Sequence, residues 1–258
     1  MELSIYQLDA FASAPFRGNP AAIVPLETWL PDAMMQAIAE ENNLAETAFY
    51  IRHAEGYRIR WFTTMQEVDL CGHATLAAAA VVLDAGGTQV VFDSRSGPLR
   101  VTRHGDRYTL GFPSIPPLSA TPPDGLFRAL GAEPAQFLRS NYCVCVFEHE
   151  QEVRALAPEM FSLANLDCFG TIATAPGSDC DFVSRMFAPA AGIPEDPVTG
   201  SAHCALIPYW SGRLGKRSLF ARQISQRGGE LWCEDRGSRV SISGQVVRYM
   251  EGKIFVTG

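Results

Sequence analysis

Three ionisable residues, Glu46, His73 and Asp196, stand where predicted helices and strands begin or end. Glu46 lies in the apolar segment NNLAETAFYI (residues 42–51). A carboxylate in apolar surroundings loses hydration, which favours its protonated form, so it pairs with another group or exchanges protons near neutral pH. The structural alternatives are a capping or salt-bridged glutamate, a buried core histidine, and a turn aspartate before Pro197.

Two glycines, Gly72 and Gly200, stand at the entry to predicted helices, in the segments Gly-His-Ala and Gly-Ser-Ala. The free N–H groups and the positive dipole end of a helix start form a site for a carboxylate or another anion. Two such sites would bind a small acidic substrate. The alternative is that each glycine only permits a tight turn before a packed helix.

Short helices and strands must position these residues. The segment PDAMMQAIAEENN (31–43) predicts a helix that ends at the asparagine pair, and AETAFYI (45–51) predicts a strand, so Glu46 lies at the mouth of that strand. The apolar segment HATLAAAAVVLDAGG (73–87) predicts a buried helix closed by glycines, and residues 90–113 predict alternating strands. In the second half, residues 152–166 and 200–215 predict further helices.

Five prolines between residues 113 and 123 cannot continue a strand ladder or a helix. They place a domain boundary near residue 118, which divides the chain into halves 1–117 and 118–258, with the last strand free to return to the first half. Each half is long enough for its own hydrophobic core.

The second half repeats a pattern of the first. Arg-Trp-Phe (60–62) and Arg-Met-Phe (185–187) are both followed by a glutamate that stands five residues before a helix-starting glycine, at 67 and 195. This repeat favours two similar α+β halves that face each other, with the site at their interface.

Composition excludes several function classes. The 258-residue chain carries a formal charge of −7, with 47% hydrophobic and 19% charged residues and no basic run, so a nucleic-acid partner is not expected. No apolar run reaches the roughly 18 residues of a membrane span, and no signal peptide is visible, which favours a soluble, cytoplasmic protein. Seven cysteines without CxxC or HExxH spacing indicate reduced thiols and no metal site.

The motifs DAFASAPFRGNPAAIV, NNLAETAF, LCGHATLA, SRMFAPAAGIPEDPVTGSAH and LGKRSLFARQISQRGGEL together resemble the PhzF family of phenazine-biosynthesis-like isomerases. The likeness runs from Tyr6 to the C-terminal strands, and the order and spacing of the motifs are specific. It implies the α+β fold of diaminopimelate epimerase, in which each of two pseudo-symmetric domains wraps a sheet around a central helix. It also implies a homodimer without metal or organic cofactor.

The same resemblance implies a role for each matching residue. In the phenazine member, the family glutamate is a general acid and base that moves a hydrogen within trans-2,3-dihydro-3-hydroxyanthranilate, and this role falls on Glu46. His73 and Asp196 match the residues that orient and polarise the substrate. The positions that match the binding site of the substrate carboxylate are Gly72, Gly200 and Ser201.

Two residues depart from the pattern of the phenazine enzymes: Ala45 replaces a frequent serine, and Cys71 precedes Gly-His. The reaction type therefore transfers better than the substrate. Two alternatives remain open. An amino-acid epimerase with two thiols would use Cys71, but the matching position of the second half holds Thr199, and Cys204 lies further into the helix. A family member that only binds a small ligand or a protein is the other alternative.

Overall fold

The computed structural model describes residues 1–256, which form two compact units. The first unit comprises Met1–Gly111 together with the residues from Ser243 onward, and the second is Phe112–Ile242. The boundary expected near residue 118 lies inside the second unit. Leu118–Ser119 pairs there with Gln136–Arg139, so the proline-rich segment enters this unit instead of linking two others.

The first unit contains eleven segments of regular structure, counting the end of the last strand. They are β1 (Glu2–Ala10), β2 (Asn19–Leu26), α1 (Asp32–Asn42), β3 (Glu46–His53), β4 (Gly56–Phe62), β5 (Glu67–Val68), α2 (Gly72–Leu83), β6 (Gln89–Ser94), β7 (Gly97–His104) and β8 (Arg107–Pro113). The long last strand of the chain, described below, returns to pair with β1 from Ala10↔Val246 to Glu2↔Phe255.

The second unit begins with the short strand β9 (Leu118–Ser119). Its other elements are α3 (Leu126–Leu130), β10 (Gln136–Arg139), β11 (Cys143–Val146), α4 (Glu150–Ala155), α5 (Met160–Ala164), β12 (Thr171–Pro176), β13 (Phe182–Ala188), β14 (Ile193–Asp196), α6 (Gly200–Leu214), β15 (Ser218–Gln223) and β16 (Gly229–Asp235), with a 3₁₀ turn at Pro189–Ala191. The last strand, β17 (Arg239–Phe255), begins in this unit and continues in the first. The predicted helix over 152–166 is two helices, because Pro158 interrupts it.

Both units use one order of strand pairing. In the first, β1–β2 is antiparallel, β2–β3 parallel, β3–β4 and β4–β5 antiparallel, β4–β6 parallel and β6–β7 antiparallel. In the second, β10–β11 is antiparallel, β11–β12 parallel, β12–β13 and β13–β14 antiparallel, β13–β15 parallel and β15–β16 antiparallel. The repeat visible in the sequence is therefore a repeat of topology.

The helix α2 is the centre of the first unit. Its residues from His73 to Ala80 are buried, and it packs against β1, β2, β3 and β6. A helix that is apolar on all sides is stable only when other elements cover every side of it. The small alanine side chains of α2 let the surrounding strands approach the helix closely. The helix α6 has the corresponding place in the second unit and packs against β15 and β16. None of the helices in residues 1–256 is long and apolar enough to cross a membrane.

The arginine of each repeated segment anchors the loop that leads to the next helix. Arg60 binds both carboxylate oxygens of Glu67, at 2.7 Å each. Arg185 binds both oxygens of Glu195, at 2.7 and 2.9 Å, and also the main-chain oxygen of Leu156 at 2.8 Å. Because the fork of a guanidinium matches a carboxylate in one orientation, each pair fixes the loop that precedes Gly72 or Gly200.

Replacing Arg185 by lysine should lower the free energy of unfolding by about 1–3 kcal/mol, because lysine cannot form the paired bonds to Glu195 in this mostly buried place. The midpoint of urea denaturation measures the change. The matched control is Arg236→Lys, at an exposed pair with Glu234, where we expect less than about 0.5 kcal/mol. Equal losses in the two variants would contradict an anchoring role for Arg185.

Candidate active site

Glu46 is the first residue of β3, directly after the turn that ends α1. Asn43 ends that helix in the left-handed conformation (φ 49°), and Asn42 donates a hydrogen bond of 3.1 Å to the hydroxyl of Thr47. The parallel pairing of β2 with β3 sets Glu46 opposite Ala21. The carboxylate therefore stands at a strand end, as predicted, and its side chain is only 13% exposed.

His73 is the second residue of α2 and is buried. Its Nε2 atom lies 3.1 Å from Oε2 of Glu46, and its Nδ1 atom lies 3.5 Å from Sγ of Cys71. Cys71 is the residue before the helix, and its main-chain oxygen accepts a hydrogen bond of 2.5 Å from the hydroxyl of Thr75. The imidazole thus stands between a thiol and a carboxylate, with one ring nitrogen facing each.

Glu46 Oε2 and His73 Nε2 are both shielded from solvent, and within residues 1–256 neither has a hydrogen-bond partner. Although they are 3.1 Å apart, their approach is too oblique for a hydrogen bond between them, so their attraction is electrostatic. Buried polar atoms are normally paired, since an unpaired one costs about 1–3 kcal/mol. Two such atoms side by side are available to a third polar group.

The charge states of this group follow from burial and neighbours. Burial acts to lower the pKa of His73, but Cys71 and then Glu46 act to raise it, and the net pKa lies well above the usual range. Burial, together with the Glu46 carboxylate, raises the pKa of the Cys71 thiol, so that thiol is protonated at neutral pH. Because the sulfur favours the imidazolium only as a thiolate, the Glu46 carboxylate is the group to which we assign a charged imidazolium at neutral pH.

The donor atoms of Glu46, Cys71 and His73 lie within 4.8 Å of one another, the spacing of a potential metal site. Thiolate, imidazole and carboxylate are all zinc ligands. Nδ1 of His73 faces the thiol and Nε2 faces the carboxylate. These three side chains are thus candidates both for holding an ion and for exchanging protons.

Asp196 ends β14 in the second unit and receives a hydrogen bond of 2.5 Å from the Thr199 hydroxyl. The buried side chain of Gln223 holds the segment between them. Its amide nitrogen donates to the Asp196 main-chain oxygen at 2.7 Å, and its amide oxygen accepts from the Thr199 N–H at 2.8 Å. The loop that carries Asp196 is therefore fixed before α6 begins.

Gly200 and Ser201 open α6, as the sequence predicts. A Cβ atom on Gly200 would meet no atom of the described residues within 4 Å beyond its chain neighbours and the backbone of its own helix, so open space adjoins this helix start. The Ser201 hydroxyl lies 2.7 Å from the Tyr142 hydroxyl. Burial raises the pKa of Tyr142, so its hydroxyl stays neutral, and either hydroxyl can donate to the other.

The structure brings Glu46, Gly72 and His73 together in the first unit, and Asp196, Gly200 and Ser201 together in the second. Sequence reasoning missed Tyr142 and Gln223, which hold the second group. It noticed Cys71 as a departure from a pattern and as a possible thiol of an epimerase, but not as a partner of His73. The position of Cys71, two residues before His73, could have predicted this contact. A residue just before a helix start can reach the side chain of the second helical residue.

Residues 8–252 match the family model described as phenazine biosynthesis-like protein. The chain belongs to this family. An uncharacterised isomerase of Pseudomonas aeruginosa is 53% identical to it, over 98% of this chain and 99% of the relative. The human phenazine biosynthesis-like domain-containing protein is 36% identical, over 98% of this chain and 99% of the relative.

Solved structures confirm the predicted fold of this phenazine biosynthesis-like protein. A PhzF-family crystal structure from Enterococcus faecalis has a TM-score of 0.96 and 44% identity, covering 99% of this chain and 100% of that one. A hydroxyproline epimerase from Agrobacterium vitis, 10% identical, has a TM-score of 0.61 over 98% and 92% of the two chains. The latter likeness concerns the fold alone and supports the predicted epimerase-like α+β class.

Glu46→Gln should lower the pKa of His73, because the neutral amide no longer favours the imidazolium. The imidazole signals, followed by ¹⁵N NMR during a pH titration, measure this change. His203 is the internal control. Its pKa is lowered to about 4 by burial, and the one other influence on it is the main-chain group of Thr199, so its titration should not move. An unchanged His73 titration in the variant would contradict electrostatic coupling to Glu46.

The electrostatic coupling of His73 to Glu46 should also make the stability of the fold depend on pH. Folding raises the pKa of His73 above 6.5, so the protonated ring stabilises the fold fully below that value, and this contribution is lost as the pH rises through the folded-state pKa. Thermal denaturation should show a smaller loss over this alkaline range in Glu46→Gln than in wild type.

Proposed function

We propose that this protein is an isomerase that moves a hydrogen within a small unsaturated carboxylic acid, with Glu46 as the general acid and base. The compound trans-2,3-dihydro-3-hydroxyanthranilate is the model for this substrate class. The observation that carries the proposal is the solvent-shielded Oε2 of Glu46, which has no hydrogen-bond partner in the described residues and lies 3.1 Å from the imidazole of His73. The names of its relatives from Pseudomonas aeruginosa and Halalkalibacterium halodurans, which call them isomerases, add support.

The chemistry balances with one carboxyl group. Glu46, as carboxylate, takes a proton from one carbon of the substrate, and the electron pair of that C–H bond enters the conjugated system. The protonated Glu46 then returns the proton to another carbon of the same system, which restores both the carboxylate and the electron count. No redox equivalent is consumed. A cofactor-free reaction therefore accords with these residues.

His73 stabilises the charge that develops during this transfer. Its imidazolium presents Nε2–H beside Glu46, and that hydrogen has no hydrogen-bond partner within residues 1–256, so it can bond a substrate oxygen. The sulfur of Cys71 on the other ring nitrogen keeps the ring in this orientation. Cys71 is in this account a positioning residue for His73.

We propose that each helix start, within its own unit, offers a binding position for a carboxylate. Gly72 begins the 12-residue α2 and Gly200 begins the 15-residue α6, and each start offers main-chain N–H groups. Ser201 adds a hydroxyl that Tyr142 orients. Asp196, held by Thr199 and Gln223, is proposed to orient the substrate. The homodimer and the cytoplasmic location stay predictions.

The geometry favours this reaction over a two-thiol epimerase. Thr199 occupies in the second unit the place of Cys71 in the first, and its hydroxyl is bonded to Asp196. Cys204 lies one turn into α6, buried, with its sulfur 3.7 Å from the main-chain oxygen of Gly200. The second unit thus presents no thiol at its helix start.

Replacing Glu46 by glutamine should lower kcat for the dihydro-hydroxyanthranilate by about 10²–10⁴-fold, because the amide cannot accept the carbon-bound proton. The dissociation constant, measured by calorimetry on the inactive variant, should change less than about tenfold, since the side chain keeps its size. Glu41→Gln, which removes an exposed carboxylate from α1, is the control and should leave both values unchanged. Saturable binding without turnover by wild type would instead support a binding protein.

Gly200→Ala should lower kcat/KM by roughly tenfold or more, because the added methyl group fills the open space at the start of α6. Its melting temperature should stay near that of wild type, since no protein atom opposes the methyl. Gly212→Ala in the same helix is the matched control, as its methyl also meets no neighbour. Unchanged kinetics in Gly200→Ala would remove this helix start from the proposed binding site.

A further inference from the structure

A second cysteine-containing group lies in the second unit, apart from the residues used above. Cys143 begins β11, and Cys168 lies in the segment between α5 and β12. The main-chain N–H of Cys143 donates to Sγ of Cys168 at 3.2 Å, and that thiol donates to the main-chain oxygen of Gly170 at 2.8 Å. The sulfur of Cys168 is thus held against the residue that carries the other thiol.

The two cysteines share one hydrophobic core but differ in exposure. Cys143 is fully buried, whereas Cys168 is partly exposed and packs against the same cluster. Cys168 can therefore meet a small reagent from solvent, whereas Cys143 is accessible only from within the core. This is the arrangement of a reactive and a resolving thiol.

We propose that Cys143 and Cys168 form a redox-active dithiol, which a hydroperoxide converts to a disulfide. This inference does not rest on the proposed isomerase activity.

The electrostatics favour Cys168 as the attacking group. Hydrogen bonds from Cys143 lower the pKa of the Cys168 thiol against the opposing effect of burial, which favours its deprotonation over that of the other thiols. The same interaction raises the pKa of Cys143. By contrast, burial raises the pKa of Cys180, which is also partly exposed, to about 11.

The oxidation balances in two steps. The Cys168 thiolate attacks one oxygen of hydrogen peroxide, the O–O bond breaks, and the sulfur becomes a sulfenic acid while the hydroxide leaves as water with one proton. The sulfur of Cys143 then attacks the sulfur of Cys168, its proton leaves with the hydroxyl as a second water, and the S–S bond forms. The protein loses two electrons and two hydrogens, and the peroxide is reduced.

Formation of this disulfide would affect the position of Tyr142, which belongs to the proposed binding site. Tyr142 precedes Cys143, Phe169 follows Cys168, and their rings pack with centroids 5.8 Å apart. The Tyr142 hydroxyl is the partner of Ser201 at 2.7 Å. A disulfide would therefore tie together the two segments that hold Tyr142.

The test uses the full-length, reduced protein. It is treated with hydrogen peroxide, its free thiols are blocked with N-ethylmaleimide, and unreduced peptides are analysed by mass spectrometry. We expect a cross-link between the peptides of Cys143 and Cys168 that dithiothreitol reverses, while Cys180 stays alkylated. The oxidised protein should also melt several degrees higher, because the bond closes a long loop in the unfolded chain.

Three variants make the result specific. Cys145→Ala removes the neighbouring buried thiol of the same strand and should keep the cross-link. Cys143→Ala should abolish it and leave Cys168 as a sulfenic or sulfinic acid, and Cys168→Ala, at the more exposed position, serves if Cys143→Ala does not fold. Alkylation of both thiols after peroxide treatment, irreversible oxidation of Cys168 in wild type, or a cross-link to Cys145 would overturn the proposal.

Discussion

The proposed site depends on one electrostatic contact, in which a carboxylate and an imidazolium are held side by side away from water. Neither Glu46 nor His73 would be stable there alone, because a single buried charge costs several kcal/mol. Together they compensate each other, and the oblique geometry leaves one atom of each without a hydrogen bond. The two unpaired atoms destabilise the free protein. A substrate whose polar atoms supply the missing hydrogen bonds would remove this penalty, and the free energy so gained would favour binding.

The rest of the first unit maintains this contact. The parallel pairing of β2 with β3 fixes where Glu46 leaves the sheet, and the enclosure of α2 by strands fixes where His73 enters. Between them, the bidentate pair of Arg60 and Glu67 anchors the loop that delivers the start of α2. The second unit repeats the same topology and the same arginine–glutamate anchor, but with Thr199 and Ser201 where the first has Cys71 and His73. One scaffold thus carries a thiol and an imidazole at the helix start of one unit and two hydroxyl groups at the helix start of the other.

Much of this could be predicted from the sequence. Helix and strand periodicity placed Glu46 at a strand start and His73 at a helix start, and the Arg-x-Phe repeat anticipated the duplicated topology. Motifs predicted the family and the epimerase-like α+β class, which the comparisons confirm. The break of the helix after Ala155 was missed although Pro158 signalled it. The sequence did not indicate that Tyr142 and Gln223 belong to the site. They are far from Ser201 and Thr199 in the chain, and only the tertiary fold brings them into hydrogen-bond contact. The orientation of the His73 ring between Cys71 and Glu46 likewise depends on tertiary packing.

The central claim is that one shielded carboxyl group carries the hydrogen from carbon to carbon. It is tested most directly with dihydro-hydroxyanthranilate that bears deuterium on the carbon that loses hydrogen, converted by wild-type protein in ordinary water and followed by deuterium NMR of the product. Because Oε2 of Glu46 is shielded from solvent, part of the label should appear on the carbon that gains hydrogen. A product whose receiving carbon carries only hydrogen from water, with all the deuterium released to the solvent, would contradict transfer by a single shielded carboxyl group.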